Sequence, residues 1–451
     1  MIALLLFLSA FAQAQSSYDP NELLQAARLE ATLSCDLDTA PPAAEEPMCQ
    51  GTFESLCGQE PSRTALTAGD FRKKYFGEAH WQSLQDLSRR ILAAGQDRKE
   101  KKAALATYTQ IVRAVQAQVG AAAAENGIPP GAIKRQLEEV KADFVKRLRA
   151  YPQFKNLRYT QKKIAAIQLF DADSLAGAEA EDIEDFYRSC GVDGLMTQAY
   201  YNPDLNRVVL CPGYVLENLR PEGVRGMTFL FGHEIGHAAD PLEMDTLSTD
   251  AQPYSYLARY QNFLSCLTEN YKDEFRSIED AKAKVLGVTK PGLEACELKL
   301  KKEGASAEDI FSVRSQLDRL PAAVEEFDAQ LKEYHANGKG GDPVFSHSGE
   351  LAADFMGSEA SGNLLWKVSP AERPAIARSQ VAFFCQIDET KKKVSDLCGQ
   401  DASPVAEVGD DGSHPRFRFR IEFFLRNPRI RAALGCTSVS AKPWCSLYGK
   451  K

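Results

Sequence analysis

Two histidines and one glutamate occur at metal-binding spacing near the middle of this 451-residue chain. His233 and His237 are four positions apart, so on a helix both imidazoles leave from one face and can hold the same metal ion. Glu234 would lie about 100° further round that helix, beside the open position of the metal rather than on it. A zinc hydrolase needs this arrangement, with two imidazoles on zinc and a carboxylate that takes a proton from zinc-bound water.

The alternative interpretation of this stretch is a surface helix that carries two histidines by chance. Its neighbours are largely apolar, namely Phe229, Leu230, Phe231, Ile235 and Ala238, which predicts a buried helix. Buried histidines so close together need partners, and a metal ion supplies one. We therefore favour a metal site.

A catalytic zinc site has a third protein ligand and keeps the fourth position for water. The best candidate is Glu350, which shares a predicted helix with Asp354, four positions later. Asp354 and Asp240 would each hold the outer nitrogen of a ligand histidine and so fix its tautomer. The alternative is that Glu350 and Asp354 lie on an ordinary solvated helix face. Their neighbours in sequence are small and apolar, which indicates a buried helix instead. The predicted cofactor is one Zn²⁺ ion.

The start of the chain predicts export. Residues 1–11 are almost wholly apolar and precede the small-x-small pattern Ala12-Gln13-Ala14, so residues 1–14 resemble a secretory signal peptide. The apolar run is too short to cross a bilayer, and no other stretch approaches the required length. Eleven singly scattered cysteines fit an oxidising compartment. We expect a periplasmic or extracellular protein with no membrane span.

The rest of the chain divides by composition. We predict a cysteine-bearing irregular arm at 15–66, a helical N-terminal lobe at 67–185, and a catalytic domain at 186–451 with a helical insertion at about 275–340. Long helices are expected at 97–126, 130–150, 254–275, 278–286 and 307–334. The net charge of −8 and the lack of a long basic cluster exclude nucleic acid as a partner. The oligomeric state is left open.

A hairpin is predicted just before the histidine helix, with strands at 195–201 and 207–210 around a turn at 202–206. Its edge would allow an extended peptide to pair through backbone hydrogen bonds. A purely structural hairpin has the same pattern, so both interpretations stay open.

His414 lies in a turn-rich loop, followed by alternating basic and aromatic residues up to Arg420. Alone, this pattern favours a solvated histidine and a charged strand. Beside zinc, the histidine could donate a hydrogen bond to an oxyanion and the arginine could hold a substrate carbonyl or carboxylate.

Several motifs in this order resemble the neprilysin and endothelin-converting-enzyme family of zinc endopeptidases. The similarity covers about residues 191–448. The motifs are Gln198-Ala199-Tyr200-Tyr201-Asn202-Pro203, His233 to Asp240, Glu350 to Asp354, His414-Pro415 with Arg420 six places later, and Cys445-Ser446-Leu447-Tyr448 near the C-terminus.

The resemblance implies a role for each matching residue. The zinc ligands would be His233, His237 and Glu350, supported by Asp240 and Asp354. The catalytic residues would be Glu234, as general base, and His414, which would stabilise the transition state. The substrate-binding residues would be Arg420, for a substrate carbonyl, and Gln198 with Ala199, for the peptide backbone.

The resemblance also implies a disulfide between Cys266 and Cys445, with Cys398 and Cys436 reaching cysteines of the N-terminal arm. This chain departs from the family in three ways. Gln198 replaces an asparagine, the interval from His237 to Glu350 is longer, and the helical region before the hairpin is far shorter. In the family that region walls off the active site and limits substrates to peptides, so a shorter region here would allow larger substrates.

Together these features predict an α+β fold with a zincin-like (thermolysin-like) catalytic domain, in which a small mixed sheet lies over the two metal helices, and a mostly helical N-terminal lobe. The predicted function is a secreted or periplasmic zinc metalloendopeptidase that acts on peptides or proteins. One alternative is a catalytically inactive zincin-like binding or scaffolding protein of the cell envelope. Another is a metalloenzyme that acts on something other than peptide bonds.

Overall fold

The computed structural model describes residues 71, 84, 86–87, 89–91, 98–150, 158–219, 222–240, 263, 265–266, 282–337, 348–381, 394, 397–399, 417–436 and 444–445. The predicted signal peptide, the cysteine-bearing arm and His414 lie outside these residues. So does all of the predicted helix at 254–275 except residues 263, 265 and 266, which are helical.

The described residues form a mostly helical α+β fold with one small sheet, as the sequence predicts at this level. In chain order the α-helices are α1 (Arg98–Glu125), α2 (Ala132–Ala150), α3 (Arg158–Ala165), α4 (Ala180–Cys190), α5 (Pro212–Glu217), α6 (Thr228–His237), α7 (Lys290–Glu303), α8 (Ala307–Asn337), α9 (Ser348–Leu365), α10 (Arg373–Val381), α11 (Phe417–Phe424) and α12 (Pro428–Ala433).

The long predicted helices agree with α1, α2 and α8 to within a few residues. The break between α1 and α2 has a local cause. Gly127 takes a left-handed backbone conformation (φ 77°) directly after α1, and the Pro129-Pro130 pair that follows cannot continue the helix. By contrast, a π-helix (Val285–Thr289) leads into α7 where the sequence predicts the end of a helix.

Three strands form the sheet: β1 (Gln168–Phe170), β2 (Ala199–Asn202) and β3 (Arg207–Leu210). β3 is central, parallel to β1 and antiparallel to β2, with Ala199 opposite Leu210. The predicted hairpin is therefore present, and β2 is an edge strand of this sheet. β1 was not predicted, because three residues are too few to show a strand period.

Two sequence predictions of strand are wrong. Residues 195–198 are not a strand, because the Met196 N–H donates to the Cys190 carbonyl at 3.2 Å and the Gln198 N–H to the Met196 carbonyl at 3.0 Å, rather than to a neighbouring strand. From Phe417 on, the basic and aromatic run that ends at Arg420 belongs to the helix α11 rather than to a charged strand. Arg420, Ile421 and Phe424 are buried at helical spacing, so tertiary packing overrides the alternating pattern.

One hydrophobic core joins the N-terminal helices to the histidine helix. It contains Val115 of α1, Leu137 and Phe144 of α2, and Phe231 and Ile235 of α6. A second cluster packs Phe229 of α6 against the C-terminal helices through Leu365, Ile376, Ile421 and Phe424. The histidine helix is thus held on two sides. The predicted domain boundaries stay predictions.

Three disulfides are described. Cys266–Cys445 agrees with the pairing that the family resemblance implies, and Cys190–Cys211 ties α4 to the end of β3. Cys398 bonds to Cys296 of α7, so the expectation that it reaches the N-terminal arm is wrong. The helical insertion supplies a nearer partner for that cysteine. Among the described helices, none is long and apolar enough to cross a membrane.

Candidate metal centre

Helices α6 and α9 lie backbone to backbone because glycines face each other across the contact. A Cβ on Gly232 would come within 2.8 Å of the Gly357 Cα, and one on Gly236 within 2.8 Å of the Ala353 Cα. The higher residue number on α6 contacts the lower residue number on α9, so the two helices are antiparallel. This brings the start of α9, with Glu350, to the end of α6, with His237.

The three predicted ligands converge. His233 Nε2 lies 3.2 Å from His237 Nε2 and 3.4 Å from Glu350 Oε2, and His237 Nε2 lies 3.6 Å from Glu350 Oε1. Two ligand atoms about 2.0–2.1 Å from a tetrahedral ion are separated by about 3.3–3.4 Å. One ligand atom from each residue can be chosen so that all lie within 4.8 Å of one another. The residues therefore fit a metal ion between them.

The centre is buried on one side and open on the other. The His233 side chain is only 3% exposed, whereas the side chains of His237 and Glu350 are 19% and 17% exposed. Glu234, which follows His233, is buried as well. A metal ion held here would be reached by solvent or a ligand only from the side of His237 and Glu350.

Asp354 orients His233, as the sequence predicts for a ligand's outer nitrogen. Its Oδ1 lies 2.9 Å from His233 Nδ1, which leaves Nε2 for the metal position. Arg420 of α11 donates two hydrogen bonds to the same carboxylate, from Nε to Oδ2 at 2.9 Å and from Nη2 to Oδ1 at 2.8 Å. Both residues are almost fully buried.

This geometry shifts the pKa values of both partners. Burial alone would lower the pKa of His233, but the hydrogen bonds to Asp354 and Glu350 outweigh it and raise the pKa from 6.5 to about 10. Burial likewise would raise the pKa of Asp354, but the Arg420 guanidinium and His233 lower it. In the metal-free protein both shifts favour the charged forms, an imidazolium on His233 and a carboxylate on Asp354.

Asp240 lies beside the centre. Its Oδ2 faces the start of α9 so closely that a Cβ on Gly349 would be 2.4 Å away, and its backbone N–H donates to the His237 carbonyl at 3.2 Å. The carboxylate thus lies against the backbone at the start of α9, one residue before Glu350. Its predicted bond to the outer nitrogen of His237 stays a prediction.

The predicted substrate-binding residues are divided between two places. Gln198 has an exposed side chain, and its carbonyl accepts from the Cys211 N–H at 3.1 Å, which continues the hairpin before Ala199 begins β2. β2 also contacts α6, so this edge lies beside the histidine helix. Arg420 instead lies behind His233, where it binds Asp354. A role for any of these three residues in substrate binding stays a prediction.

Sequence reasoning missed the contact between Arg420 and Asp354 and the glycine contact between the helices. The glycines left a signal, since Gly232 and Gly236 on one helix and Ala353 and Gly357 on the other repeat at four-residue spacing. The contact of Arg420 left no signal in the sequence, because 66 residues separate it from Asp354.

Comparisons with known proteins place this chain in no family. No protein-family model matches it, and neither the curated proteins nor the solved structures contain a match.

Proposed function

We propose that this protein is an exported zinc metalloendopeptidase with a zincin-like catalytic domain. The single observation that carries the proposal is the convergence of His233, His237 and Glu350 with Glu234 between the two histidines on the same helix. Two imidazoles and one carboxylate are a ligand set of catalytic zinc sites, with a position left for water.

The donor set favours zinc over other common ions. Calcium and magnesium prefer all-oxygen ligands, whereas nitrogen donors suit zinc and its neighbours in the first transition row. A zinc ion bound here would supply Lewis acidity, which polarises a carbonyl and makes water acidic enough to attack it near neutral pH.

The chain's own residues would move the proton. Glu234 accepts a proton from the attacking water and passes it to the nitrogen of the leaving amine. Asp354 keeps His233 in the tautomer that presents Nε2, and Arg420 keeps Asp354 ionised and in place. His414 would donate a hydrogen bond to the oxygen that gains negative charge.

A peptide is the substrate class that the neighbouring sheet favours. β2 is an edge strand of the described sheet and contacts the histidine helix. An extended peptide laid along it would pair by backbone hydrogen bonds and bring one carbonyl towards the centre. The exposed start of that strand, at Gln198, leaves room for such a segment.

The test is a peptide-library digest followed by mass spectrometry, on the purified chain with and without a chelator. We expect cleavage that the chelator abolishes and that zinc restores. Glu234→Gln should retain bound zinc but lose at least roughly a hundredfold in rate, which is the typical contribution of a general base.

Each control separates the enzyme from its alternatives. Glu125→Gln, a change at an exposed glutamate at the end of α1, should leave the cleavage rate unchanged. A metal-loaded protein that cleaves no peptide would support the inactive binding protein instead. Full activity in Glu234→Gln would remove the assignment of the base.

A further inference from the structure

A cavity lies at the opposite ends of the two metal-bearing helices. It opens between the start of α2, the 3₁₀ helix Gly223–Met227 and the start of α10, with a volume of about 800 Å³. A deeper pocket of about 100 Å³ adjoins it, lined by Thr228 where α6 begins and by Leu365 where α9 ends. The larger volume falls within the roughly 300–1,000 Å³ of small-molecule sites.

The deep pocket combines an apolar wall with one unsatisfied acceptor. Leu364, Leu365 and Ile376 line it. Gln380 lines it too, and its Nε2 donates to the Arg225 carbonyl at 3.1 Å, which fixes the orientation of the amide. The Gln380 side chain is 1% exposed, and its Oε1 has no hydrogen-bond partner among the residues that the structure describes. A buried acceptor in this state favours a ligand with an N–H donor.

The rim carries charges of both signs in two long ion pairs. Lys367 Nζ lies 3.4 Å from Glu139 Oε1, and Arg225 Nη1 lies 3.8 Å from Glu372 Oε1. All four side chains are about half exposed, so these pairs contribute little to stability. They can therefore exchange partners with a ligand that carries one positive and one negative group.

We propose that this cavity binds a small zwitterion with an apolar side chain, either an apolar amino acid or the end of a short peptide. The ammonium group would donate to Gln380 Oε1 and lie near a rim carboxylate. The carboxylate would meet Arg225 or Lys367, and the side chain would pack on Leu364 and Ile376. No part of this site includes a metal ligand, so it does not depend on peptidase activity.

The test titrates the full chain with L-leucine and follows the methyl resonance of Ile376 by NMR. The protein is freed of metal beforehand, so that the amino acid has no ion to chelate. We expect a saturable shift with L-leucine and none with glycine at the same concentrations. Leucinamide and 4-methylpentanoate should bind more weakly, because each lacks one of the two charges.

Ala375 lines the open cavity and is half-buried, so Ala375→Phe would fill the site from its mouth. We expect it to weaken L-leucine binding by at least roughly tenfold, given that single methylenes in apolar pockets already change affinity by such factors. Ala371→Trp, at an exposed position on the same wall, is the second variant if the first fails to fold. The control is Ala121→Phe, at an exposed position of α1.

The outcomes are distinct. Tighter binding of leucyl-leucine than of leucine would assign the site to a peptide end, and the reverse would assign it to the free amino acid. If no ligand gives a saturable shift, the cavity holds water only and the proposal is wrong. Equal binding of 4-methylpentanoate and leucine, or binding unaffected by Ala375→Phe and by Ala371→Trp, would overturn it as well.

Discussion

Arg420 holds both carboxylate oxygens of Asp354, at 2.9 and 2.8 Å, and Asp354 in turn lies 2.9 Å from the outer nitrogen of His233. A helix near the C-terminus is thereby connected to a candidate metal ligand on a helix in the middle of the chain. Because the pair is bidentate and almost fully buried, it fixes the direction in which His233 points.

Replacing Arg420 should therefore weaken metal binding. Arg420→Gln leaves Asp354 buried without its cation, and we expect about 3–5 kcal/mol less stability. The affinity for zinc should fall roughly 10- to 100-fold, as when such supporting partners of zinc ligands are lost. Competition with a chelating dye measures the affinity.

The control for this change is Arg188→Gln, because Arg188 is exposed and its ion pair in the described part of the chain is with Glu184 of the same helix. It should alter neither stability nor zinc affinity. If Arg420→Gln bound zinc as tightly as the unmodified protein, the geometry of Asp354 and His233 would not depend on the arginine.

The close contact between α6 and α9, which carry the candidate metal ligands, predicts that Gly236→Ala is damaging. The added methyl group would meet Ala353 at 2.8 Å, so the helices must separate and Glu350 must move away from the histidines. We expect a loss of about 1–3 kcal/mol in the free energy of unfolding, with weaker zinc binding. Thermal unfolding and zinc titration measure the two effects.

Gly120→Ala is the matched control, since Gly120 lies inside α1 and an added Cβ would have no atom within 4 Å. Alanine is the better helix former, so this variant should gain about 0.5–1 kcal/mol. A harmless Gly236→Ala would show that the helices do not need backbone contact to assemble the centre.

The raised pKa of His233 predicts a pH dependence for the metal-free protein. A folded-state pKa of about 10, above the ordinary 6.5, means that the charged form stabilises the fold fully below about pH 6.5. This contribution is lost as the pH rises towards 10. The lowered pKa of Asp354 acts only in acid, as the pH falls below its ordinary value of 3.8, so it does not offset the loss.

Zinc requires the neutral imidazole, so its binding at pH 7 should release a proton from His233. Calorimetric titration in buffers of different ionisation enthalpy counts that proton. Thermal unfolding of the chelated protein between pH 6.5 and 10 should show falling stability, while the zinc-loaded protein should not. A binding heat that is the same in every buffer would contradict the assigned protonation.

The disulfides should differ in their contribution to stability. Cys266–Cys445 joins residues 179 apart, whereas Cys190–Cys211 joins residues 21 apart. The intact Cys296–Cys398 bond lies within the first loop and shortens it, so loop-closure entropy predicts that removing the first pair costs about 1 kcal/mol more than removing the second. Denaturant unfolding of the two double Cys→Ala variants measures the difference, and equal losses would mean that native packing rather than chain entropy dominates.

The sequence alone determined which residues are candidates for the chemistry. The spacing of His233 and His237 fixed their common face, because helical periodicity is a local property, and the same reasoning selected Glu350 and Asp354 as neighbours. Local helix propensity also predicted α1, α2 and α8, because the length and composition of these segments favour a helix over other structures. The prediction of a charged strand ending at Arg420 was wrong. The strand preference of five residues is worth less free energy than the burial of one face of a helix.

Only the tertiary structure decided how the pieces meet. The convergence of Glu350 with the histidines depends on glycine contacts between helices more than a hundred residues apart in sequence, and the support of Asp354 by Arg420 depends on a third helix. The disulfide between Cys398 and Cys296 likewise depends on the packing of segments that are distant in sequence. Such relationships arise when distant segments pack, and no local pattern records which of the available partners will be nearest.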